Sequence, residues 1–210
     1  MKPLEITALL LAGGSLTVTP RVLELVRGAA LVIAADGGAR HAAALGLNID
    51  LWVGDFDSSD DLTHLSAPRQ TFPRDKDKTD LELALGIAKE RGATRALVLG
   101  AFGGRFDHAL GIALMAARET ALGFTINLES GSESGWILTP AQPLELPLGA
   151  GQTFSVLALE DAQQLSITGA KWSLERVKLN FGASLGISNE ACGVVSVSLE
   201  AGVVLVIAQW

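Results

Sequence analysis

The central motif of this sequence is the acidic stretch Val53-Gly54-Asp55-Phe56-Asp57-Ser58. The apolar residues 51–53 predict a short buried strand, and the serines and aspartates that follow predict a turn or a helix start. Side chains of an extended segment alternate between its faces, so we expect Asp55 and Asp57 on one face and Phe56 on the other. Mg²⁺ relieves the repulsion between two carboxylates and keeps coordination sites for phosphate. An isolated Asp-x-Asp is also compatible with a solvated acidic turn, so the neighbouring motifs decide between the two.

Apolar runs alternate with segments of helical periodicity through about residue 128. Strands are predicted at 6–11, 30–35, 51–53, 95–99 and 124–128, and helices at 20–27, 39–47, 79–91 and 106–121. Uniformly apolar strands separated by helices predict a parallel, Rossmann-like sheet with helices on both faces. Ligands bind at the carboxyl ends of the strands in such α/β sheets. We therefore expect residues 1–130 to form an α/β domain with its site at that edge.

Residues 131–210 have a different pattern. Gly, Ser and Pro accumulate from 130 to 151, and short alternating segments follow at 153–159, 165–168, 194–199 and 203–208. No long helical period is present in this part of the sequence. The pattern predicts a small antiparallel all-β domain, a sandwich or half-barrel, and we expect the sandwich.

The composition excludes several classes of protein. With 49% hydrophobic and 19% charged residues, the chain is neither disordered nor fibrous. A formal net charge of −7 without a basic block argues against a nucleic-acid partner. The single cysteine, Cys192, excludes an internal disulfide. No apolar run reaches the roughly 18 residues of a membrane span, and residues 6–12 lack the features of a signal peptide, so we expect a cytoplasmic protein.

A second motif, Ala34-Ala35-Asp36-Gly37-Gly38-Ala39, ends another predicted strand. A carboxylate followed by Gly37 and Gly38 lets the backbone approach a ligand closely, and the next helix offers its N-terminal N–H groups to phosphate. A plain tight turn is the alternative explanation of Asp-Gly-Gly.

The third motif is Arg74-Asp75-Lys76-Asp77-Lys78-Thr79-Asp80. Thr79 and Glu82 have the spacing of a capping box, which predicts a helix start at Thr79 with Asp80 in its first turn. A capped helix preceded by solvated charges would explain most of this stretch. Capping requires neither Lys76 nor Asp77, however, and a lysine beside carboxylates is suited to contact a polyphosphate while the acids hold metal.

The fourth motif, Gly100-Ala101-Phe102-Gly103-Gly104-Arg105-Phe106-Asp107-His108, links a predicted strand to a predicted helix. Gly-rich turns in this position cradle phosphate, although the Gly-Lys-Ser/Thr ending of a Walker loop is absent. Arg105 offers a bidentate fork for phosphate, and Asp107 is placed to cap the helix or to orient Arg105. At a helix start, His108 is more often a structural hydrogen-bonding residue than an acid or base. His41 and His64 show no partner spacing. Together, the strand-end motifs predict a Mg²⁺–polyphosphate site.

These motifs in this order resemble those of the thiamine pyrophosphokinase family. The matching runs are Ala35-Asp36-Gly37-Gly38-Ala39, Gly54-Asp55-Phe56-Asp57-Ser58, Lys76-Asp77-x-Thr79-Asp80 and Gly103-Gly104-Arg105-x-Asp107-His108. Two later runs resemble the family's β-domain signatures, Gly169-Ala170-Lys171-Trp172-Ser173-Leu174 and Gly186-Ile187-Ser188-Asn189-Glu190. The resemblance spans most of the chain. One departure is Gly111-Ile112, where many bacterial members carry a polar residue.

The resemblance implies an α/β catalytic domain that binds nucleotide and Mg²⁺, a β-sandwich that binds thiamine and dimerises, and a homodimer with shared active sites. The family transfers the pyrophosphoryl group of ATP to the hydroxyethyl group of thiamine and releases AMP. Asp36, Asp55, Asp57 and Asp80 would surround Mg²⁺ and the nucleotide phosphates, with Asp55, Asp57 and Asp80 as the metal ligands. The same three aspartates and Arg105 would be the catalytic residues. Further phosphate and substrate contacts would come from Gly37, Gly38, Lys76, Asp77, Thr79, Gly104, Arg105, Asp107 and His108.

The resemblance also implies that Trp172 lies against the thiamine rings, with Ser188 and Asn189 near the pyrimidine. An indole face suits the thiazolium cation, but without the resemblance a tryptophan in an amphipathic β segment is more often a core residue. Phosphoryl-type transfers depend on positioning and electrostatic stabilisation, so no nucleophilic side chain is needed. Asp80 or Asp57 is the candidate acceptor of the hydroxyl proton.

Other functions remain compatible with Asp55 and Asp57. Aspartyl-phosphate phosphatases place Asp-x-Asp after a strand, but Ser58-Ser59 replaces the extension that they carry. A metal-dependent sugar-nucleotide transferase would not explain the run from Lys76 to Asp80. A non-catalytic nucleotide or thiamine sensor would be expected to have lost acidic residues, and each of the four motifs retains its aspartate.

Overall fold

Short apolar strands and a later set of alternating strands divide the chain into two parts. The computed structural model describes residues 7–56, 62, 65–73, 75, 77–140 and 143–210. The chain splits into a first unit, Met1–Ile112 with Phe124–Gly131, and a second unit, Ala113–Gly123 with Ser132–Trp210. Each unit contains its own buried apolar cluster. That residues 1–130 and 131–210 act as separate functional domains stays a prediction.

The first unit contains a parallel sheet. Its strands are β1 (Thr7–Leu11), β2 (Leu31–Ala35), β3 (Leu51–Gly54), β4 (Arg69–Thr71), β5 (Arg95–Leu99) and β6 (Thr125–Glu129). They pair in parallel in the order β4-β3-β2-β1-β5-β6. Strands β2 and β3 are buried along their whole length, as expected for a sheet covered on both faces. The predicted parallel α/β architecture is confirmed.

Helices lie between these strands along the chain. They are α1 (Pro20–Leu25), α2 (His41–Leu45), α3 (Asp80–Glu90) and α4 (Phe106–Ala121), and a 3₁₀ turn (Asp36–Arg40) precedes α2. The predicted capping box of α3 is present, with Thr79 as N-cap and Glu82 as its partner. Its apolar residues Leu81, Ala84, Leu85 and Ala88 lie on one face and are buried. None of the helices in the described ranges combines the length and hydropathy needed to cross a membrane.

The second unit is a β-sandwich. Its strands are β7 (Glu133–Leu138), β8 (Leu144–Pro147), β9 (Thr153–Ala158), β10 (Ala162–Ala170), β11 (Leu174–Leu179), β12 (Asn189–Ser198) and β13 (Val204–Gln209). One antiparallel sheet contains β7, β13 and β9, and the other contains β11, β10 and β8. Strand β12 begins in the first sheet at Asn189 and continues in the second beside β10. Apolar side chains from both sheets form one core, which confirms the predicted sandwich.

Strands that the sequence pattern did not predict are β4, β7, β8 and β11. β4 exposes all three of its side chains and β11 buries only Leu179, so both lack the apolar signal on which strand prediction depends. β8 ends in Pro147, and β7 follows directly on a Gly-Ser turn, both of which are typical loop signals. Cys192 is exposed on β12.

Candidate active site

Loops at the carboxyl ends of neighbouring parallel strands contact one another. The main-chain N–H of Gly14, in the loop after β1, donates to the Gly100 carbonyl after β5 at 3.1 Å. The N–H of Ser15 donates to the Phe102 carbonyl at 2.9 Å. His41, which follows the 3₁₀ turn after β2, has its Nε2 3.0 Å from the Gly14 carbonyl oxygen. The loops after β2, β1 and β5 therefore form one connected edge, as predicted for a ligand site of a parallel sheet.

Glycines allow these loops to approach one another closely. A Cβ on Gly38 would overlap the carbonyl of Leu11 on β1, and a Cβ on Gly14 would overlap the carbonyl of Gly100. Gly37 is also buried, and its carbonyl accepts a 2.7 Å hydrogen bond from Nε of Arg40. Packing against β1 is thus sufficient to explain why residue 38 is a glycine. Contact of Gly38 with phosphate stays a prediction. The sequence analysis did not include the loop after β1 in the site, although its Gly13-Gly14 pair could have indicated a close approach of the backbone.

Asp36 and Asp55 lie at adjacent strand ends. Asp36 has a positive φ of 43°, which is uncommon for a non-glycine residue and typical of strained functional positions. The indole N–H of Trp52 on β3 donates to the Asp36 carbonyl at 2.8 Å. A Cβ on Gly54 would lie 3.3 Å from the Cα of Asp36, so the residue before Asp55 is packed directly against Asp36. The buried Trp52 is a structural residue of this site that the sequence analysis missed.

Phe56 corrects the predicted geometry of the central motif. Strand β3 ends at Gly54, and Phe56 has a φ of 64°, so the backbone is not extended through Phe56. The expected alternation of side chains is therefore wrong at this residue. The Phe56 ring packs edge-on against Trp52 with centroids 5.1 Å apart, and the Arg69 guanidinium lies 4.5 Å from the Trp52 ring centroid. Asp57 and Ser58 lie outside the described residues.

The start of α3 carries the third motif. The Thr79 hydroxyl accepts the Glu82 N–H at 3.2 Å, and the Thr79 N–H donates to the Glu82 carboxylate at 3.1 Å. Asp80 is the first helical residue, and α3 packs beside β2 and β3, whose carboxyl ends lead to Asp36 and Asp55. Asp77 is exposed before the helix, and Lys76 lies outside the described residues. The capping role of Thr79 is confirmed, and its contact with phosphate stays a prediction.

Arg105 and Asp107 form an exposed ion pair in the fourth motif. Arg105 donates to both carboxylate oxygens of Asp107, at 3.1 Å from Nε and 2.6 Å from Nη2. The His108 N–H donates to the same carboxylate at 3.0 Å. Hydrogen bonds from Arg105 lower the pKa of Asp107, and the reciprocal bonds raise the pKa of Arg105. The predicted role of Asp107 in orienting Arg105 agrees with this geometry, and Gly104 precedes the pair with a φ of 69°.

The acidic residues of the first unit fit Mg²⁺ in their chemistry. Asp36, Asp55 and Asp80 offer oxygen donors, which a hard divalent cation prefers over nitrogen or sulfur. Within the described ranges, no three His, Cys, Asp or Glu residues form a group with metal-binding geometry. Because Asp57 is outside those ranges, the predicted set of Asp55, Asp57 and Asp80 stays a prediction.

The second unit contains a pocket of about 180 Å³ that brings together Trp172, Ser188 and Asn189. Leu185 and Ile187 complete its lining. Trp172 lies in the turn between β10 and β11 and is 52% exposed, so its alternative assignment as a core residue is wrong. The residues predicted to contact thiamine therefore share one concave surface. Leu185 and Ile187 were not predicted, although Ile187 lies inside one of the quoted motifs.

The loop before β12 forms one wall of this pocket. Its Gly186 carbonyl accepts the Val156 N–H of β9 at 2.8 Å, and a Cβ on Gly186 would overlap the Val156 carbonyl. Ser188 adopts a φ of 57°, and its N–H donates to the Ser155 hydroxyl at 3.1 Å. These contacts hold the exposed Ile187 and Ser188 beside the indole.

Trp172 is held by polar neighbours, of which Asn189 bonds to its backbone and Lys171, paired with Glu190, lies near its ring. The buried Asn189 amide donates to the Trp172 carbonyl at 2.8 Å and accepts the Trp172 N–H at 3.2 Å. Nζ of Lys171 lies 3.0 and 2.9 Å from the two carboxylate oxygens of Glu190. The same Nζ lies 4.6 Å from the Trp172 ring centroid, within the range of a cation–π interaction. The sequence analysis assigned no role to Lys171 or Glu190, although both lie in the quoted β-domain motifs.

Comparison with known proteins connects both units with one family. The family model described as "Thiamin pyrophosphokinase, catalytic domain" matches residues 22–126. The model described as "Thiamin pyrophosphokinase, vitamin B1 binding domain" matches residues 142–204, which include the whole pocket around Trp172. A relative from Bacillus subtilis (strain 168), thiamine pyrophosphokinase, is 26% identical over 187 residues and covers 86% of this chain and 87% of the relative.

Solved structures agree with this assignment. Thiamine pyrophosphokinase from Bacillus subtilis has a TM-score of 0.81 at 25% identity, covering 97% of this chain and 98% of that one. The enzyme from Candida albicans, at 17% identity, shares the fold with a TM-score of 0.72 over 98% of this chain and 90% of that one. Two matched domain models, a relative over most of both chains and the shared fold lead to the same conclusion: this chain belongs to the thiamin pyrophosphokinase family.

Proposed function

We propose that this chain transfers the pyrophosphoryl group of ATP to the hydroxyethyl group of thiamine, giving thiamine diphosphate and AMP. The observation that carries the proposal is the pocket of the second unit, where Trp172, Ser188 and Asn189 come together although they lie in separate segments. The match of this region to a vitamin B1 binding domain supports the same substrate.

The chemistry of the pocket suits thiamine. The thiazolium ring carries a permanent positive charge, and an accessible indole face attracts such a cation by about 0.5–2 kcal/mol. Leu185 and Ile187 supply apolar walls for the flat rings. Ser188 supplies a hydroxyl that can donate to or accept from the pyrimidine.

The strand-end loops of the first unit are proposed to hold ATP. In this proposal Asp36 approaches the phosphates, and Mg²⁺ is held by Asp55, Asp57 and Asp80 and neutralises phosphate charge. Phosphate contacts are proposed for Gly37, Gly38, Lys76, Asp77, Thr79, Gly104, Arg105, Asp107 and His108. Arg105 is paired with Asp107. To bind phosphate, its guanidinium must either leave the Asp107 carboxylate or contact the carboxylate and the phosphate at the same time.

The proposed reaction is an in-line displacement at the β-phosphorus of ATP. The hydroxyl oxygen of thiamine forms a bond to the β-phosphorus, and the bond between that phosphorus and the α,β-bridging oxygen breaks, releasing AMP. The hydroxyl proton passes to a carboxylate, for which Asp80 and Asp57 are the candidates. Arg105 stabilises charge on the transferred phosphoryl oxygens, so positioning and electrostatics supply the catalysis.

A homodimer with shared active sites and a cytoplasmic location complete the proposal. The large apolar side chains that line the thiamine pocket are exposed in the single chain, with Leu185 at 59% and Ile187 at 46%. Exposed apolar clusters of this kind often mark a subunit interface. Light scattering on the purified protein tests the dimer, and a fully active monomer would contradict shared sites.

The deciding experiment is an assay with thiamine, ATP and MgCl₂ in which AMP and thiamine diphosphate are quantified together. Equal amounts of the two products support the proposal. Inorganic phosphate alone would indicate a phosphatase. In a parallel assay with a sugar nucleotide in place of ATP, release of a nucleoside diphosphate would indicate a glycosyltransferase. Binding of thiamine or ATP without turnover would indicate a sensor. Omitting MgCl₂ in the presence of a chelator should abolish product formation.

A further inference from the structure

We infer that Asn189 is a positioning residue, which fixes Trp172 through its backbone and acts on thiamine only through the indole. The inference rests on the proposed function and changes the role that the family resemblance implied for Asn189, which was contact with the pyrimidine.

Nearly all the hydrogen-bonding groups of the Asn189 amide have partners within the protein. Its Oδ1 accepts the N–H groups of Trp172 at 3.2 Å and Glu190 at 2.9 Å, which occupies both lone pairs. Its Nδ2 donates to the Trp172 carbonyl at 2.8 Å, which leaves one amide hydrogen. The residue is only 3% exposed, so it presents little surface to a ligand in the pocket.

Trp172 depends on this anchor because it lies in a turn. Strand β10 ends at Ala170 and β11 begins at Leu174, so the backbone of Trp172 is outside the regular ladder. The two hydrogen bonds between the Trp172 backbone and the Asn189 side chain take the place of ladder bonds and tie the turn to the start of β12. The Lys171 N–H donates to the Glu190 carbonyl at 2.9 Å and reinforces the same connection. The backbone of a residue that is 52% exposed is thereby fixed before substrate arrives, which limits where the indole can lie and lowers the entropic cost of binding.

A double-mutant cycle separates positioning from direct contact. Asn189→Ala should raise the KM for thiamine about tenfold in the wild-type background, as expected for the loss of two anchoring hydrogen bonds. In the Trp172→Ala background the same substitution should change that KM by less than about twofold, because no indole remains to be positioned. The KM for ATP should stay constant in both. Asn180→Ala, at an exposed asparagine after β11, is the matched control. A direct ligand would instead give equal effects in both backgrounds, and that result overturns the inference.

A spectroscopic readout tests the inference without turnover. The chain has four tryptophans, and the indole N–H resonance of Trp172 is identified by its loss in Trp172→Phe. Asn189→Ala should shift or broaden that resonance and leave the indole N–H of Trp52, bonded to the Asp36 carbonyl, unchanged as an internal reference. An unshifted Trp172 resonance would contradict positioning.

A second substitution covers the case in which Asn189→Ala does not fold, which the indole N–H resonance of Trp210, bonded to the Ser134 hydroxyl in the same unit, would reveal. Asn189→Asp keeps an acceptor for both N–H groups but loses the donor to the Trp172 carbonyl, and it should give a smaller shift of the Trp172 resonance. Unfolding of both variants would assign Asn189 to the stability of the sandwich and would overturn the inference. If the wild-type protein makes no AMP, the proposed function fails, while the Trp172 resonance still decides the role of Asn189.

Discussion

Arg21 of α1 and Glu129 at the end of β6 form a bidentate ion pair, with distances of 2.6 and 2.9 Å between guanidinium nitrogens and carboxylate oxygens. The Glu129 side chain is 2% exposed and also accepts the Gly131 N–H at 2.5 Å. Its main-chain carbonyl accepts the Gly100 N–H at 2.9 Å, in the loop that meets Gly14. Glu129 therefore connects α1 with the glycine loop of the candidate active site.

Arg21→Met should reduce the free energy of unfolding by about 3 kcal/mol, because it leaves a buried carboxylate without its cation. Urea denaturation measures this change. The control is Arg27→Met, which removes an ion pair with Glu24 whose side chains are 75% and 68% exposed. Exposed pairs of this kind contribute less than about 1 kcal/mol. Equal decreases in the free energy of unfolding in the two variants would show that burial does not strengthen the contribution of the Arg21–Glu129 pair.

The elements that the sequence predicted well carry their signal locally. The apolar run of β2 and the capping box of Thr79 and Glu82 lie within a few residues of one another. The Arg21–Glu129 pair has no such signal, because its members are 108 residues apart and Glu129 reads as the polar end of a strand. Phe56 was misread because its left-handed backbone depends on packing against Trp52 and Arg69 rather than on its own residue type.

In the second unit, too, features that depend on distant residues could not be predicted from the local sequence. The pattern of apolar alternation predicted a sandwich, but it could not show that Trp172 lies in an exposed turn, since that depends on Asn189 in a distant segment. Family resemblance identified Trp172, Ser188 and Asn189 as a group without distinguishing a ligand from its support. That distinction comes from the hydrogen bonds of the folded chain.

Protonation of His41 should make the first unit less stable in mild acid. Burial is the main cause that lowers the pKa of His41 from its ordinary value of 6.5, and the nearby Arg40 charge lowers it further, while hydrogen bonds with Gly14 and Ala12 oppose these effects. The folded state consequently binds fewer protons than the unfolded state below pH 6.5. Stability should be complete above that pH and should fall as the pH decreases through the lowered pKa.

Urea denaturation at several pH values between about 5 and 8 measures this dependence. His41→Gln should flatten the decline, because it removes the group that gains a proton on unfolding. His108→Gln, at an exposed position on α4, should retain the decline because His41 remains. A decline of the same size in His41→Gln would assign the dependence to another group.

Replacing the acidic residues of the central motif should abolish most turnover without unfolding the protein. Asp55→Asn, and likewise Asp57→Asn, should lower kcat at least about 100-fold, because each removes a charge proposed to hold Mg²⁺ against the transferred phosphates. Steady-state kinetics over a range of MgCl₂ concentrations and circular dichroism are the measurements. Glu24→Gln makes the same change in charge on exposed α1 and should keep kcat. Near-normal kcat in either aspartate variant removes the proposed metal role of that residue.

Truncating the indole should affect one substrate and not the other. Trp172→Ala should raise the KM for thiamine about tenfold, as expected for losing a cation–π contact together with apolar surface, and should leave the KM for ATP unchanged. Trp172→Phe keeps an aromatic face and should recover part of the loss. An unchanged KM for thiamine in Trp172→Ala would mean that the exposed ring serves another purpose, such as contact with a second subunit.

Replacing Lys171 tests which face of the Trp172 indole is available to thiamine. Its Nζ lies 4.6 Å from the ring centroid, yet of the described residues the ones that line the pocket are Trp172, Leu185, Ile187, Ser188 and Asn189, without Lys171. We therefore expect Lys171 to cover the face that thiamine leaves free and to steady the ring. Lys171→Met should raise the KM for thiamine about threefold, within the range of an exposed cation–π contact, and change the fluorescence of Trp172.

The matched control for this change is Lys178→Met, because Lys178 forms a similar half-exposed ion pair with Asp161 at 3.1 Å. Each variant loses a surface ion pair, so both should change the free energy of unfolding by less than about 1 kcal/mol. Only Lys171→Met should alter the KM for thiamine. A fall in that KM would mean that the ammonium group and the thiazolium ring compete for the same face of Trp172, so that Lys171 must leave the ring before thiamine can bind.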